Sequence, residues 1–183
     1  MANVKTIWTF SDYDALPEDG KRYELHEGEL SVTPSPTFRH QDVLATLLGV
    51  LRAHVLRHDL GAVVPSPLTV KLSNTTVVQP DIVYVAKAQM DIVTERGIVD
   101  GAPALAIELL SPSTRRVDRT TKRQLFERHG VPYYWIVDTD TRTIDVYRAV
   151  AGVYGEPERR GPEDLDDLPP FPGLRIDAAA LWR

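Results

Sequence analysis

The chain has 183 residues, of which 43% are hydrophobic and 26% charged, and its formal net charge is −5. This composition is typical of one globular domain and excludes a disordered chain. The sequence contains no cysteine, which excludes disulfides and thiolate metal sites, so any metal must be held by oxygen or imidazole ligands.

The N-terminal residues 1–10 lack a basic segment followed by an apolar stretch, and no apolar run approaches the roughly 20 residues that span a bilayer. We therefore expect a cytoplasmic protein with no membrane partner. We also expect a single domain over residues 1–183, with its core at about 20–150 and a Pro-rich, acidic C-terminal extension at 151–183.

The first elements in chain order are a hairpin and a long helix. Residues 23–32 form two short alternating runs around Glu27-Gly28, which predicts a β-hairpin because glycine accepts the positive φ of a tight turn. Residues 40–58 have apolar side chains at helical spacing, with Gly61 beyond their end, and predict a helix.

Two β-branched segments follow, residues 63–72 and 77–86, separated by Ser73-Asn74, and they predict two consecutive strands. Pro65 and Pro67 indicate that the first strand is irregular or lies at an edge. Residues 104–110 are a nearly continuous apolar run, as expected for a strand covered on both faces.

Residues 118–129 predict a helix that lies on the sheet, with Asp118 as its N-cap and Gly130 after its end. Residues 133–138 and 143–148 predict a second hairpin of buried strands. After Gly152 the chain is acidic and rich in proline, and we expect only residues 174–181 to pack back onto the core.

Two acidic residues, Asp81 and Glu108, stand inside these apolar strands. An unpaired buried carboxylate costs several kcal/mol, so each must be protonated, paired with a cation or bound to a metal. A salt bridge or a position at a strand end would account for one such residue. Two in neighbouring strands favour a shared cation, because like charges repel. Mg²⁺ suits such a pair, since it takes oxygen ligands and keeps several waters.

Three further residues are candidates for the same site. Lys122 falls at helical spacing with Leu125 and Phe126, so its ammonium could reach the carboxylates; the alternative is a surface lysine at a helix start. Glu24 alternates along the first hairpin and is either a further site residue or an ordinary polar strand position. His40, at the start of the long helix, is an accessory candidate or has a structural role.

The densest basic segment of the chain is residues 113–123. It is either a solvated helix start or a contact surface for nucleic acid. The candidate nucleic-acid-binding residues are Arg115, Arg116, Arg119 and Arg123.

The ordered set of these motifs resembles the Uma2 family (DUF820) of the PD-(D/E)XK nuclease superfamily. The matching residues are Tyr23-Glu24-Leu25, Gly28-Glu29-Leu30, His40, Pro80-Asp81, Ile107 to Thr114, Asp118, Lys122, Gly130-Val131 and Tyr134 to Asp138. The resemblance implies an α/β, restriction-endonuclease-like fold with a mixed β-sheet flanked by helices, including the N-terminal β-hairpin. It also implies a metal held by Asp81 and Glu108, with Lys122 and Glu24 as catalytic residues.

The sequence departs from these patterns at three positions. Leu110 stands where the superfamily's name motif has lysine, which the Uma2 pattern moves to the following helix, at Lys122. Phe126 and Tyr133 stand where the family usually has tyrosine and glutamate. None of the three is an expected metal ligand.

The resulting hypothesis is a Mg²⁺- or Mn²⁺-dependent endodeoxyribonuclease acting on DNA. The alternative is a catalytically inactive nuclease-fold module for binding or regulation, which the net negative charge favours. A metal hydrolase for another substrate has no Ser-His-Asp or HExxH pattern to support it. Cleavage of duplex DNA by one site per chain favours a homodimer, with residues 133–148 or the acidic tail as the interface.

Overall fold

The computed structural model describes residues 6–183, and residues 1–5 of the N-terminal stretch considered above lie outside them. The strands are β1 (Arg22–His26), β2 (Glu29–Thr33), β3 (Gly61–Pro65), β4 (Val70–Ser73), β5 (Thr76–Val78), β6 (Ile82–Ala86), β7 (Val99–Asp100), β8 (Leu105–Leu109), β9 (Tyr133–Asp138), β10 (Thr143–Val150), β11 (Val153–Tyr154) and β12 (Glu158–Arg160). The α-helices are α1 (Phe10–Asp14), α2 (Phe38–Arg57), α3 (Arg115–Val117), α4 (Arg123–Arg128) and α5 (Ala178–Leu181). A 3₁₀ helix (Lys87–Ile92) follows β6.

The strands form two sheets, which confirms the mixed α/β class. A five-stranded sheet has the order β2-β1-β5-β4-β7. A seven-stranded sheet has the order β11-β10-β9-β8-β6-β3, with β12 also paired to β10. Both sheets are mixed, since β4 and β7 are parallel, as are β8 and β9.

The N-terminal hairpin is confirmed as β1 and β2. Its turn residues, Glu27 and Gly28, both have positive φ, at 52° and 84°. This is the turn geometry that matches the twist of the strands. A Cβ at Gly28 would lie 2.5 Å from Ile7 Cγ2, so a larger residue would also have to displace this exposed side chain.

The long helix is also confirmed, as α2. It begins at Phe38, two residues earlier than predicted, because the Thr37 hydroxyl caps it by accepting a hydrogen bond from His40 N at 3.3 Å. Its buried side chains pack against the seven-stranded sheet; they include Val43, Leu47, Leu51 and Val55.

The prediction of two consecutive strands, one in residues 63–72 and one in 77–86, was wrong, because each segment contributes a strand to both sheets. β3 pairs with β6 in one sheet, and β4 pairs with β5 in the other. Pro65 ends β3, and Pro80 separates β5 from β6, since proline cannot donate to a strand ladder. The expected edge position is confirmed, because β3 is the last strand of its sheet.

Strand β8 lies between β6 and β9, and all five of its residues are buried, which confirms coverage on both faces. The next helix differs from its prediction. It begins at Arg115, and a π-helical turn (Asp118–Lys122) joins α3 to α4. Asp118 is therefore inside the helical segment and is not its N-cap. The start lies earlier because Ser111 O accepts a hydrogen bond from Arg115 N at 3.0 Å.

The second hairpin is confirmed as β9 and β10. The prediction that only residues 174–181 pack back was wrong. Strands β11 and β12 extend the large sheet, and Leu165, Leu168 and Phe171 are buried in its core. These side chains lie on irregular backbone. A hydrogen bond from Trp135 Nε1 to Pro169 O, at 2.9 Å, attaches this backbone to the large sheet. Irregular backbone leaves no hydrophobic periodicity in the sequence.

Within residues 6–183, no helix combines the length and apolar character needed to cross a membrane.

Candidate active site

Asp81 lies directly before β6, and Glu108 lies on β8, the strand that pairs with β6. β6 and β8 are antiparallel with Ile82 opposite Ile107, so each acid is next in the chain to one residue of this pair. Both carboxylates are buried, with 4% and 3% of their surface exposed. The Leu109 amide donates a hydrogen bond to Asp81 Oδ2 at 2.9 Å, which fixes this carboxylate against β8. The expected neighbourhood of the two acids is confirmed.

The Lys122 ammonium lies among the carboxylates, as its helical position predicts. Its Nζ is 2.8 Å from Glu108 Oε1, 3.0 Å from Glu24 Oε1 and 3.7 Å from Asp118 Oδ1. Burial alone would lower the pKa of Lys122, but the three carboxylates outweigh burial and raise it. Lys122 is therefore a charged lysine in the interior of the protein.

Glu24 is held from both sides of its carboxylate. Oε1 also accepts a hydrogen bond from Gln79 N at 2.7 Å, and Oε2 lies 3.2 Å from His26 Nε2. Burial would raise the pKa of Glu24, but Lys122 and His26 overcome this effect and lower it to about 2. Glu24 is therefore an ionised anchor for the lysine.

Asp81 is held by two further side chains. Arg22 Nη1 lies 3.2 Å from Oδ1, and His40 Nε2 lies 3.2 Å from Oδ2. Burial would raise the pKa of Asp81, but the hydrogen bond and charge of His40 lower it, while the same contact raises the pKa of His40 against its own burial. Sequence reasoning missed Arg22, although it shares a face of β1 with Glu24 at a spacing of two residues.

A fourth carboxylate, Asp118, was missed as a site residue. It is 1% exposed, and neither side-chain oxygen has a hydrogen-bond partner. Burial raises its pKa. The pKa of Glu108 is raised well above its usual value by burial and by the charges of Asp118, Asp81 and Glu24, against the effect of Lys122. The sequence contained one signal for Asp118. It lies four residues before Lys122, and residues at this spacing share a face of a helix.

Asp81, Glu108, Asp118 and Lys122 line one small cleft, and Glu24 does not. Its lining residues are Arg22, Thr33, Pro34, Pro36, His40, Asp81, Glu108, Leu109, Ser111, Thr114, Asp118 and Lys122.

The donor chemistry of the cleft fits a hard divalent cation, because every anionic group that lines it is a carboxylate. When all four buried carboxylates are ionised, they outnumber the two permanent cations, Lys122 and Arg22, and a divalent cation would offset the difference in charge. In the described part of the chain, no three His, Asp or Glu residues are arranged as a metal site. The fit therefore rests on chemistry and charge.

The four predicted nucleic-acid-binding arginines lie outside the cleft lining. Arg115 contacts Asp138 and Asp140 at 2.6 and 2.7 Å. Arg119 contacts Asp145 at 2.7 Å and Asp138 at 3.2 Å.

The other two arginines differ in their surroundings. The Arg123 guanidinium lies 5.7 Å from the centre of the Tyr147 ring and 3.7 Å from Glu127 Oε2. Arg116 is exposed. The binding role of the four arginines stays a prediction.

A family model described as "Putative restriction endonuclease", named Uma2, matches residues 10–179. The chain belongs to the Uma2 family. This Uma2 chain also matches a crystal structure described as "a putative nuclease belonging to DUF820 from Anabaena variabilis ATCC 29413", with a TM-score of 0.79 and 24% sequence identity over 95% of this chain and 97% of that one. At this identity the likeness establishes the shared nuclease-like fold. No curated protein matches the Uma2 chain.

One departure from the usual Uma2 residues lies away from the cleft. Phe126 is completely buried and packs on Tyr134, with ring centres 4.9 Å apart. The Tyr134 hydroxyl donates to Asp118 O at 3.0 Å and so ties β9 to the π-helical turn. Phe126 therefore supports the backbone beneath the site through packing.

Proposed function

We propose that this Uma2 protein is a metal-dependent endonuclease that hydrolyses phosphodiester bonds of DNA, with Mg²⁺ or Mn²⁺ as its cofactor. The observation that carries the proposal is the position of Asp81 directly before β6, beside the strand β8 that carries Glu108, with the Lys122 ammonium 2.8 Å from Glu108. Two carboxylates and a lysine around one cleft supply the charges that phosphodiester hydrolysis needs.

In this proposal Asp81 and Glu108 would hold the divalent cation, which would supply positive charge for the phosphate and activate water. Arg22 and His40 orient Asp81 through their contacts at 3.2 Å. Lys122 donates toward the attacking water or the phosphate oxygen on which charge develops. Glu24 keeps this lysine charged and in place.

The remaining features concern the substrate. The net charge of −5 disfavours binding of DNA by the protein surface as a whole. We therefore assign the phosphate contacts to the basic segment 113–123, which includes the exposed Arg116. One site cuts one strand, so cleavage of both strands requires a second copy, and we infer a homodimer, to be tested by light scattering. We also infer one domain, since the C-terminal residues complete the core of the large sheet.

The proposal is tested by incubating supercoiled plasmid with the protein in Mg²⁺, in Mn²⁺ and in EDTA. We expect nicking only with a divalent ion, and a loss of about 100-fold or more in Asp81→Asn and Glu108→Gln. The control is Asp100→Asn, a substitution at a surface ion pair with Lys71, which should retain activity. Activity that both cleft variants retain would refute the assignment.

A second function, a non-catalytic binding or regulatory module, is favoured by a specific observation. Lys122 already contacts Glu24 and Glu108, and Arg22 and His40 already contact Asp81, so each of these carboxylates has a partner within the protein. Such a module would bind DNA or another partner without cleavage, and divalent ions would not stabilise it.

A further inference from the structure

A second pocket, here called the side pocket, lies next to the cleft, and its lining includes Tyr13, Arg22, Tyr23, Pro36 and Gln79. Arg22 and Pro36 also line the cleft. The cleft has a volume of about 20 Å³, enough for a water molecule and little more, whereas the side pocket has about 710 Å³. The larger volume is typical of sites for small organic groups. The side pocket therefore has room for a bulky part of a substrate whose phosphate lies at the cleft.

Two aromatic rings line the side pocket, Tyr13 of α1 and Tyr23 of β1. The Tyr13 hydroxyl accepts a hydrogen bond from Gln79 Nε2 at 2.8 Å and lies 3.3 Å from Thr69 Oγ1. The Tyr23 hydroxyl donates to Asp19 Oδ2 at 2.9 Å. These contacts hold both rings in place. Aromatic side chains fixed in this way are the surfaces on which nucleobases stack.

Two lining residues each carry a buried polar atom without a hydrogen-bond partner among residues 6–183. The atoms are Gln79 Oε1, an acceptor, and Arg22 Nε, a donor. The remaining polar atoms of these side chains are paired, since Gln79 Nε2 donates to Tyr13 and the Arg22 Nη atoms donate to Asp81 Oδ1 and Gln79 O. Buried polar groups are normally paired. A ligand that carries both donors and acceptors, as every nucleobase does, is suited to this lining.

The charges of the side pocket disfavour a phosphate as its occupant. Its two cationic residues, Lys21 and Arg22, are already paired with aspartates, at 2.7 and 3.2 Å. Asp14, which is paired with Arg96, and Glu18 add carboxylates to the lining. Phosphate binding depends on cationic side chains that are available to the phosphate. An uncharged aromatic ring therefore fits this lining better than a phosphate does.

We propose that the side pocket binds one unpaired nucleobase of the DNA strand whose phosphate lies at the cleft. Tyr13 and Tyr23 provide the stacking surface, and Gln79 Oε1 accepts a hydrogen bond from the base. The substrate is then single-stranded DNA, or duplex DNA from which one base is extruded at a cost of a few kcal/mol. This inference rests on the proposed function, because it requires the phosphate of the same strand at the cleft.

The test is fluorescence anisotropy in EDTA with two short labelled single strands, one of deoxycytidine nucleotides and one of the same length without bases. We expect the unmodified chain to bind the strand with bases about tenfold more tightly or better, because of stacking. Tyr13→Ala should remove most of this difference and leave the affinity for the abasic strand unchanged, which also shows that the variant is folded. Tyr13→Phe, which keeps the ring, should retain the difference.

The matched control is Tyr133→Ala, since Tyr133 is also half-buried but lies outside the lining of both pockets. It should retain the preference for the strand with bases. If Tyr13→Ala weakens the binding of both strands equally, or if the unmodified chain nicks plasmid but binds both strands alike, the base site is overturned and the proposed function stands. If the unmodified chain binds neither strand and nicks no plasmid with Mg²⁺ or Mn²⁺, both proposals fail.

Discussion

The ammonium of Lys122 lies 2.8 Å from Glu108 Oε1, and the two side chains are 4% and 3% exposed. The pair joins the π-helical turn to the central strand of the large sheet. A lysine and a glutamate so deeply buried are stable only as partners, since each alone would carry the full cost of desolvation. The same contact places a proton donor beside the proposed metal ligands.

Lys122→Met is expected to destabilise the protein by about 3–5 kcal/mol, because it leaves Glu24 and Glu108 buried without their cation. Urea denaturation near neutral pH measures this loss. Adding Glu108→Gln should recover part of it, with a coupling of about 0.5–3 kcal/mol between the two changes. Lys71→Met, at a surface ion pair with Asp100, should cost at most about 1 kcal/mol. Strict additivity would contradict the buried pairing.

Divalent ions are expected to stabilise the unmodified chain and not Asp81→Asn. Free Mn²⁺ or Mg²⁺ at about 100 times its dissociation constant contributes about 2.7 kcal/mol. For a protein of this size, the melting temperature should rise by about 5–10 °C. Differential scanning fluorimetry with EDTA, Mg²⁺ or Mn²⁺ measures the shift. No rise in the unmodified chain would favour the non-catalytic module.

Arg116→Ala and Arg119→Ala are expected to affect different properties. Arg116 is exposed, so its loss should weaken DNA binding and reduce the slope of log affinity against log salt by about 1, without changing stability. Arg119→Ala should lower stability instead, because Asp138 and Asp145 lose a partner. Fluorescence anisotropy with labelled DNA in EDTA and urea denaturation separate the two effects. Equal losses of affinity would show that the ion-paired arginine also contacts DNA.

Asp145 is expected to make stability depend on acid pH. Burial would raise its pKa, but hydrogen bonds from Arg159 and Arg119 lower it below the usual 3.8. A carboxyl with a lowered folded-state pKa stabilises the protein above its unfolded-state pKa, and this contribution is lost as the pH falls through the folded-state value.

Asp145→Asn should therefore cost about 1–3 kcal/mol near neutral pH. The difference from the unmodified chain should shrink below pH 3.8. Urea denaturation across this range measures both. A constant difference at every pH would mean that packing, and not charge, accounts for the loss.

Regular elements were predictable where a single physical signal fixed them. Helical spacing of apolar residues predicted α2, a glycine turn predicted the β1–β2 hairpin, and a continuous apolar run predicted β8. The pairing of β6 with β8 followed from their patterns, so the meeting of Asp81 and Glu108 could be anticipated. The burial of Lys122 followed from the apolar residues that share its helical face.

Other features depend on contacts that a linear pattern does not contain. Asp118 has the residue type and position of an N-cap, and only the earlier start at Arg115 places it inside the helical segment. Phe171 is buried by irregular backbone whose course is set by contacts such as that of Trp135 with Pro169. The division of residues 63–86 between two sheets arises from the pairing of strands. Pro65 and Pro80 interrupt the strands, but they do not determine which strand each segment pairs with.

The chain passes from the small sheet to the large one at Pro80, immediately before Asp81. Glu24 belongs to the small sheet and Glu108 to the large one, and Lys122 contacts both. One ammonium group therefore links two sheets that have separate hydrogen-bond ladders and that also share a hydrophobic cluster through Val78 and Val83. Loss of this link in Lys122→Met should accordingly speed amide hydrogen exchange in both β1 and β8.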